Sequence, residues 1–295
     1  MTVTPPSVDP FVEHRSLLFT VAYEMLGSAA DAEDVVQESW LRWADVEQAE
    51  VRDPRAYLVR VVTRQSLNRL RSNSRRREDY VGEWLPEPLL TSPDVAEDVE
   101  LAENVSIAML TVLETLGPAE RAVFVLREVF DTPYDEIAEA VDKSPAAVRQ
   151  IAHRAKEHVA ARRPRIQVKR DEQQAAVEKF LAAVKGGDMQ DLLAVLAPDV
   201  VMVADGGGIA QAARKPIHGA GKVAAFLGTA KRINIEFTGV PISINGLPGA
   251  RLDIPFDGST TALSFVVEDG LITRIYAMRN PNKLQRLADV TSLQR

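Results

Sequence analysis

The sequence predicts a multidomain chain in which two all-α domains precede an α+β domain, and three observations predict it. Apolar residues recur at helical spacing, with few glycines, over residues 9–72 and again over 104–163. A segment between them carries Pro86, Pro88 and Pro93, which interrupt any helix. From about Asp171 the pattern turns to helices followed by β-rich runs, the order expected of an α+β domain.

The elements follow in chain order. Phe11, Leu18, Ala22 and Met25 share one helical face, and Gly27 closes that helix as a C-cap. Asp31 opens a second helix as N-cap, with Asp34 three residues on as in a capping box. Asp53 caps a third, with Pro54 at its first position. Residues 73–103 read as an extended linker. Gly117-Pro118, Pro133 and the stretch Asp142–Pro145 divide the second helical region. Helices are expected over Glu172–Lys185, around Leu192–Leu196 and near Lys222–Lys231. Strands are expected at Val200–Ala204, Ile233–Val240, Ala262–Val267 and Leu271–Met278, the last two joined by a hairpin turn at Glu268-Asp269-Gly270.

Composition narrows the chemistry. The chain has 295 residues, of which 46% are hydrophobic and 26% charged, so each domain can bury a core of its own. It has no cysteine, which excludes disulfides, thiolate metal sites and a cysteine nucleophile, and fits a reducing cytoplasm. No metal site or cofactor motif is recognised. Neither a signal peptide nor an apolar run long enough to span a membrane is found. The net charge of −7 is unevenly spread. Arginines concentrate over Arg52–Arg77 and Arg149–Arg170, acids over Asp31–Glu38 and Asp94–Glu103. Such a chain can bind nucleic acid with one surface and a protein with another.

Two segments carry that chemistry. On the third helix Val59, Val62, Ser66, Leu67 and Leu70 fall on one side, and Tyr57, Arg60, Arg64, Asn68 and Arg71 on the other. Guanidinium and amide groups with a tyrosine can hold phosphates, bond base edges and stack on an unpaired base; a solvated basic face is the plainer alternative. Over Tyr134–Val159 a short amphipathic helix, a turn at Asp142-Lys143, and a helix capped by Ser144 and opened by Pro145 make a helix-turn-helix pattern. Val148, Ile151, Ala152, Ala155 and Val159 face inward, while Ala146, Arg149, Gln150 and His153 face outward. Arg149 can read guanine and Gln150 adenine in a major groove. An ordinary helical hairpin is the alternative.

Together these segments resemble the extracytoplasmic-function (ECF) sigma factors of RNA polymerase. The run from Asp31 to Leu41 resembles region 2.2, Pro54-Arg55-Ala56-Tyr57-Leu58 through Arg71 regions 2.3 and 2.4, Leu116–Arg121 the opening of region 4.1, and Tyr134–Val159 region 4.2. Three further motifs resemble the marks of sigma-J-like members, which carry a C-terminal SnoaL-like domain of the NTF2-like fold. They are Trp84-Leu85-Pro86-Glu87-Pro88, Asp205-Gly206-Gly207-Gly208 and Asn280-Pro281-Asn282-Lys283-Leu284. Asn282 stands where Asp is expected, and either side chain can cap a turn.

The resemblance implies a division into region 2 (residues 1–72), linker (73–103), region 4 (104–165) and SnoaL-like domain with tail (171–295). It implies core RNA polymerase, through its β′ coiled coil and β flap, and promoter DNA as partners. Asp31, Glu33, Asp34, Gln37, Glu38 and Trp40 would bind polymerase; Tyr57, Arg60, Arg64, Asn68 and Arg71 the −10 element. Ser144, Ala146, Arg149, Gln150, His153 and Arg154 would bind the −35 element. Regulation in cis would fall to Trp84, Pro86, Asp205, Gly206, Gly207, Gly208, Asn280, Pro281, Lys283 and Leu284. The C-terminal domain also leaves room for a small-molecule ligand, so an autonomous helix-turn-helix regulator sensing that ligand is a second reading. A third makes the domain an isomerase or cyclase. Asp205, His218, Asp253 and Asp257 are its candidate bases, but none forms a pair by spacing. Asp205 beside three glycines reads as a turn, and His218 before Gly219 as a loop or cap residue; no catalytic residue is assigned.

Overall fold

The computed structural model describes residues 9–92, 95, 97–163, 170–229 and 236–295, and the side chains of all of these except 74–78. The chain divides into two compact units. One comprises the residues up to Ser74 with Leu113–Ala161 and Leu293–Arg295; the other comprises Arg75–Val112 and Arg162–Ser292.

The first unit is helical. Helix α1 (Pro10–Leu26) starts where Asp9 accepts the Phe11 N–H at 2.8 Å and ends at Gly27, whose φ of 64° few other residues adopt. Helix α2 (Ala29–Ala44) begins three residues before the expected start. Ser28, with an extended backbone, caps it by accepting the Asp31 N–H at 3.1 Å. Asp31 is therefore not the cap but a first-turn carboxylate, favourably placed against the helix N-terminus. Helix α3 (Pro54–Glu78) is capped by Asp53, as expected. Its predicted inner face, Val59, Val62, Ser66, Leu67 and Leu70, is buried.

The unit continues with α6 (Pro118–Phe124), a π-helical turn over Val125–Val129, α7 (Tyr134–Val141) and α8 (Pro145–Ala160). Asp142 turns the chain at φ 55°, and Ser144 caps α8 through the Ala147 N–H at 3.2 Å. All five residues expected inside α8 are buried.

In the second unit the linker is not wholly extended. Helix α3 runs to Glu78, and α4 (Val99–Val105), capped by Asp98, and α5 (Ile107–Leu113) follow the proline-rich stretch. Pro93 and Asp94 lie outside the described residues. Helices α9 (Arg170–Gly186), α10 (Met189–Val195) and α11 (Ala220–Leu227) then accompany a six-stranded sheet. Its strands are β1 (Leu196–Asp205), β2 (Ile217–His218), β3 (Thr238–Ile244), β4 (Leu247–Ile254), β5 (Ser259–Glu268) and β6 (Leu271–Met278). The order is β2-β1-β6-β5-β4-β3, with only β1 and β6 parallel.

Strand β4 was not expected, and His218 lies in strand β2 rather than in a loop. The strand expected over Ile233–Val240 is displaced to β3, and Ile233–Ile235 fall outside the described residues. The Lys222 helix ends at Leu227.

Both faces of this sheet are covered. Val177, Phe180 and Val184 of α9 pack with Leu263, Phe265 and Val267 of β5, the Phe180 and Phe265 rings meeting edge-on at 5.0 Å. The alternate β5 residues Ala262 and Val266 face Leu85, Ile107, Ala108 and Leu287. The linker is thus a second layer of this domain's core. Helices α9, α10 and α11 on one face of a mixed sheet, with the linker and α5 on the other, give the α+β architecture expected of the C-terminal region.

Candidate functional site

The linker is held by a clamp built on the Asp205 loop. Asp205 ends β1 and is fully buried. Its Oδ1 accepts from the Tyr80 hydroxyl at 2.6 Å and the Gly207 N–H at 3.0 Å. Its Oδ2 accepts from the Leu85 N–H at 2.9 Å and from Lys283 Nζ at 2.7 Å. Burial, then the bond to Asp205, pushes the Tyr80 hydroxyl's pKa up. Lys283 also donates to the Leu85 carbonyl at 2.6 Å, and its Nζ lies 4.1 Å from the Trp84 ring centroid and 4.9 Å from that of Tyr80. One ammonium is thereby enclosed by a carboxylate, a carbonyl and two aromatic faces.

The glycines after Asp205 serve close approach. A Cβ on Gly206 would stand 2.2 Å from the Ala210 carbonyl oxygen, and one on Gly207 2.2 Å from Asn280 Nδ2. Gly207 and Gly208 also adopt φ of 60° and 72°. Asn280 donates to the Tyr80 hydroxyl at 2.8 Å and caps Pro281–Lys283 through the Asn282 N–H. The turn's cap is therefore Asn280, while Asn282 is exposed. Trp84, Pro86, Asp205, Gly206, Gly207, Gly208, Asn280, Pro281, Lys283 and Leu284 all belong to this one unit, so the sequence motifs meet around the linker.

A second clamp escaped the sequence reading. Asn245, fully buried at φ 52°, accepts the Leu89 N–H at 2.9 Å and donates to the Val105 carbonyl at 2.7 Å. The Asn245-Gly246 pair between β3 and β4 is itself a hairpin signal that could have revealed both.

The catalytic candidates do not converge. His218 sits on edge strand β2 and Asp253 on β4, four strand steps away or about 19 Å at normal spacing. Asp253 bonds Arg251 and Thr260; although burial opposes it, those hydrogen bonds hold its carboxyl below the usual range. Asp257 caps a turn through the Ser259 N–H. Asp205 is not merely a turn residue but is occupied by four donors. Among the described residues no group of three or more His, Cys, Asp or Glu side chains could hold a metal ion, and no helix is long and apolar enough to cross a membrane.

In the helical unit, the acidic face of α2 is largely paired. Arg69 of α3 reaches Asp34 at 3.0 Å and Asp31 and Glu38 at 3.6 Å each, and Glu33 pairs with Arg15. Gln37 and Leu41 stay exposed, as does Trp40, whose ring meets Phe11 edge-on. On α3, Arg64, Asn68 and Arg71 are exposed, and Tyr57 is half-buried against Trp43 at 5.8 Å. Arg42, Asp45, Tyr57, Arg60, Val61 and Arg64 line a cavity of about 350 Å³. On α8, Ser144, Ala146, Arg149, Gln150, His153 and Arg154 are all exposed. The Arg149 guanidinium carbon lies 5.9 Å from the centroid of the Tyr134 ring.

A buried carboxyl and a buried guanidinium were also missed. Glu24 of α1 is fully buried with neither carboxylate oxygen hydrogen-bonded. Arg121 of α6, 2% exposed, donates to the Glu24 backbone carbonyl at 3.1 Å and pairs with Glu114.

A basic helix face with an aromatic, a helix-turn-helix with an exposed second helix, and a clamped connecting segment are the features expected of a promoter-reading subunit of RNA polymerase. Comparison with known proteins agrees. Residues 11–76 match the family model for Sigma-70 region 2, and residues 106–159 that for Sigma-70, region 4. The chain is 37% identical over 294 residues to the ECF RNA polymerase sigma factor SigJ of Mycobacterium tuberculosis, covering 94% of this chain and 92% of that one. Against the crystal structure of that organism's SigJ the TM-score is 0.75, with 34% identity over 94% of this chain and 97% of the other. The ECF RNA polymerase sigma factor SigG of M. tuberculosis is 33% identical over 207 residues, 61% of this chain and 52% of SigG. The chain belongs to the ECF sigma factors, and within them its likeness to SigJ extends through the C-terminal domain.

Proposed function

We propose that this sigma factor divides its contacts among three faces and that its C-terminal domain governs the linker in cis. The exposed Trp40 and Leu41, with Gln37 beside them, form the contact with the β′ coiled coil of core polymerase. Asp31, Glu33, Asp34 and Glu38 rim it. Their internal pairing leaves the apolar centre to supply most of the affinity. Tyr57, Arg60, Arg64, Asn68 and Arg71 engage the −10 strand, and the cavity beside Tyr57 accepts an unstacked base. The exposed N-terminal face of α8 reads the −35 duplex, with region 4 resting on the β flap. Residues 1–72, 104–165 and 171–295 are the corresponding functional divisions.

The observation that carries the regulatory reading is the clamp around Asp205, which uses residues of the linker and of the C-terminal domain together. The domain is a holder of the linker rather than an enzyme, because its candidate bases are dispersed or occupied. We place the protein's work in the cytoplasm, where its polymerase partner lies.

Run-off transcription with purified core polymerase tests the reading, comparing the full chain with chains ending after Arg170 or before Asn280. Promoter-dependent transcript that changes with truncation is expected. Equal output from all three would remove the regulatory part, and no transcript the initiation part. Arg149→Ala is expected to weaken −35 duplex binding by about 1–3 kcal/mol and to relax selectivity at one base pair. Competition binding with single-base variants of the duplex measures it.

A further inference from the structure

One residue of region 4 occupies the centre of the face assigned to the −10 strand. Glu139 lies in the last turn of α7, the first helix of the helix-turn-helix. Its Oε2 accepts from Arg60 Nη1 at 2.5 Å, and its backbone carbonyl accepts from Arg64 Nη2 at 2.7 Å. That carbonyl belongs to a helix C-terminus, where the ladder leaves acceptors unpaired and the helix dipole favours a cation. Glu136, one turn earlier, lines a cavity with Glu139, Tyr57 and Arg60. An acidic helix edge therefore presents to two arginines a carboxylate and a carbonyl, the kind of oxygen acceptors a nucleic-acid backbone would offer.

We propose that the C-terminal edge of α7 is an intramolecular decoy for DNA. In the closed arrangement of regions 2 and 4, Glu139 competes with the −10 strand for Arg60 and Arg64, and the two regions must part before that strand is read. This rests on the assignment of the Tyr57–Arg71 face to the −10 strand. The clasp is built to release: the Arg60 side chain is 35% exposed and that of Glu139 64%, so the ion pair is solvated, weak and screened by salt. A strand of several phosphates displaces it, and a single stray anion does not.

The test uses the full chain, whose lack of cysteine lets two introduced ones be labelled uniquely. Labels at V12C and A160C, both at exposed positions, report the separation of regions 2 and 4. Fluorescence anisotropy with a labelled single-stranded oligodeoxynucleotide of mixed sequence reports occupancy of the face. Glu139→Lys is expected to lengthen the label separation and to tighten strand binding about fivefold. Asp135→Lys, an equal charge change at an exposed position of the same helix, is expected to give a smaller gain. Glu139→Gln, which keeps the backbone bond to Arg64, should fall between. Equal gains from Glu139→Lys and Asp135→Lys, or an unchanged separation, would overturn the decoy. Arg60→Ala separates the two levels. If it weakens strand binding while Glu139→Lys leaves binding unchanged, the −10 assignment stands and the decoy fails. If Arg60→Ala has no effect, both fall together.

Discussion

Asp205→Ala is expected to release the linker from the C-terminal domain and to lower the melting temperature of that unit by about 10 °C. Four donors lose their acceptor at once: the Tyr80 hydroxyl, the Leu85 and Gly207 N–H groups and the Lys283 ammonium. Lys283 is only 8% exposed, so its charge is left buried against a carbonyl and two rings. Removing one partner of a buried pair typically costs about 3–5 kcal/mol, which gives the stated shift for a domain of this size. Asp205→Asn keeps the shape and part of the hydrogen bonding but not the charge, and should cost less. Calorimetry measures the loss. Hydrogen exchange at the amides of Leu85 and Leu89 locates it, with Leu85 deprotected first, since Leu89 is held separately by Asn245. If the Leu85 amide kept its full protection in Asp205→Ala, the clamp would not be what orders the linker.

The second large effect concerns Glu24. Its carboxyl is fully buried without a hydrogen bond, and burial raises its pKa to about 8, against the opposing pull of Arg121. Burial in turn lowers the Arg121 value, with the Glu24 and Tyr23 charges working against that fall. The sign follows from linkage. An unfolded chain releases the Glu24 proton near its ordinary value of 4.5, whereas the folded chain keeps it until about 8. The contribution to stability is therefore complete below about pH 4.5 and is lost as pH rises toward 8. Glu24→Gln is expected to raise the melting temperature by several degrees at pH 8 and to change it little at pH 5. Arg121→Met should do the reverse at pH 8, leaving Glu24 and Glu114 without their cation. A Glu24→Gln shift that did not vary between pH 5 and pH 8 would show that Glu24 is ionised throughout.

What the sequence disclosed, and what it hid, follows the reach of the interactions. The inner faces of α3 and α8, the Asp53 and Ser144 caps and the Asp269-Gly270 turn depend on neighbours a few residues away, and all were legible. Asp31 was mistaken for a cap because residue type alone does not reveal which backbone is extended; Ser28 is, and Asp31 is helical. Strand β4 opens Leu247-Pro248-Gly249, which reads as a turn, yet Pro248 sits at the strand's start, where its missing N–H is tolerated. The linker's prolines suggested an extended linker, with nothing to show that it is buried. Leu85 and Leu89 are instead fully buried, because acceptors 120 and 156 residues away in sequence meet their N–H groups. Nothing local marks Glu24 as buried, since Arg121, which bonds its backbone carbonyl, lies 97 residues further on. Residues whose contacts are made only in the tertiary structure, such as Asn245, Tyr80 and Glu139, carried no local sign of them.

The order of the chain gives the linker clamp a consequence in time. The Leu85 carbonyl and the ammonium that binds it are 198 residues apart, with the linker made first and Lys283 near the end. At ribosomal speeds of about 5–20 residues per second, roughly 10–40 s pass between synthesis of the two. In the later part of that interval regions 2 and 4 have both been made while their connector is still unclasped. The clamp therefore closes only after the helices of regions 2 and 4 have been made, and the linker gains its hold late in synthesis.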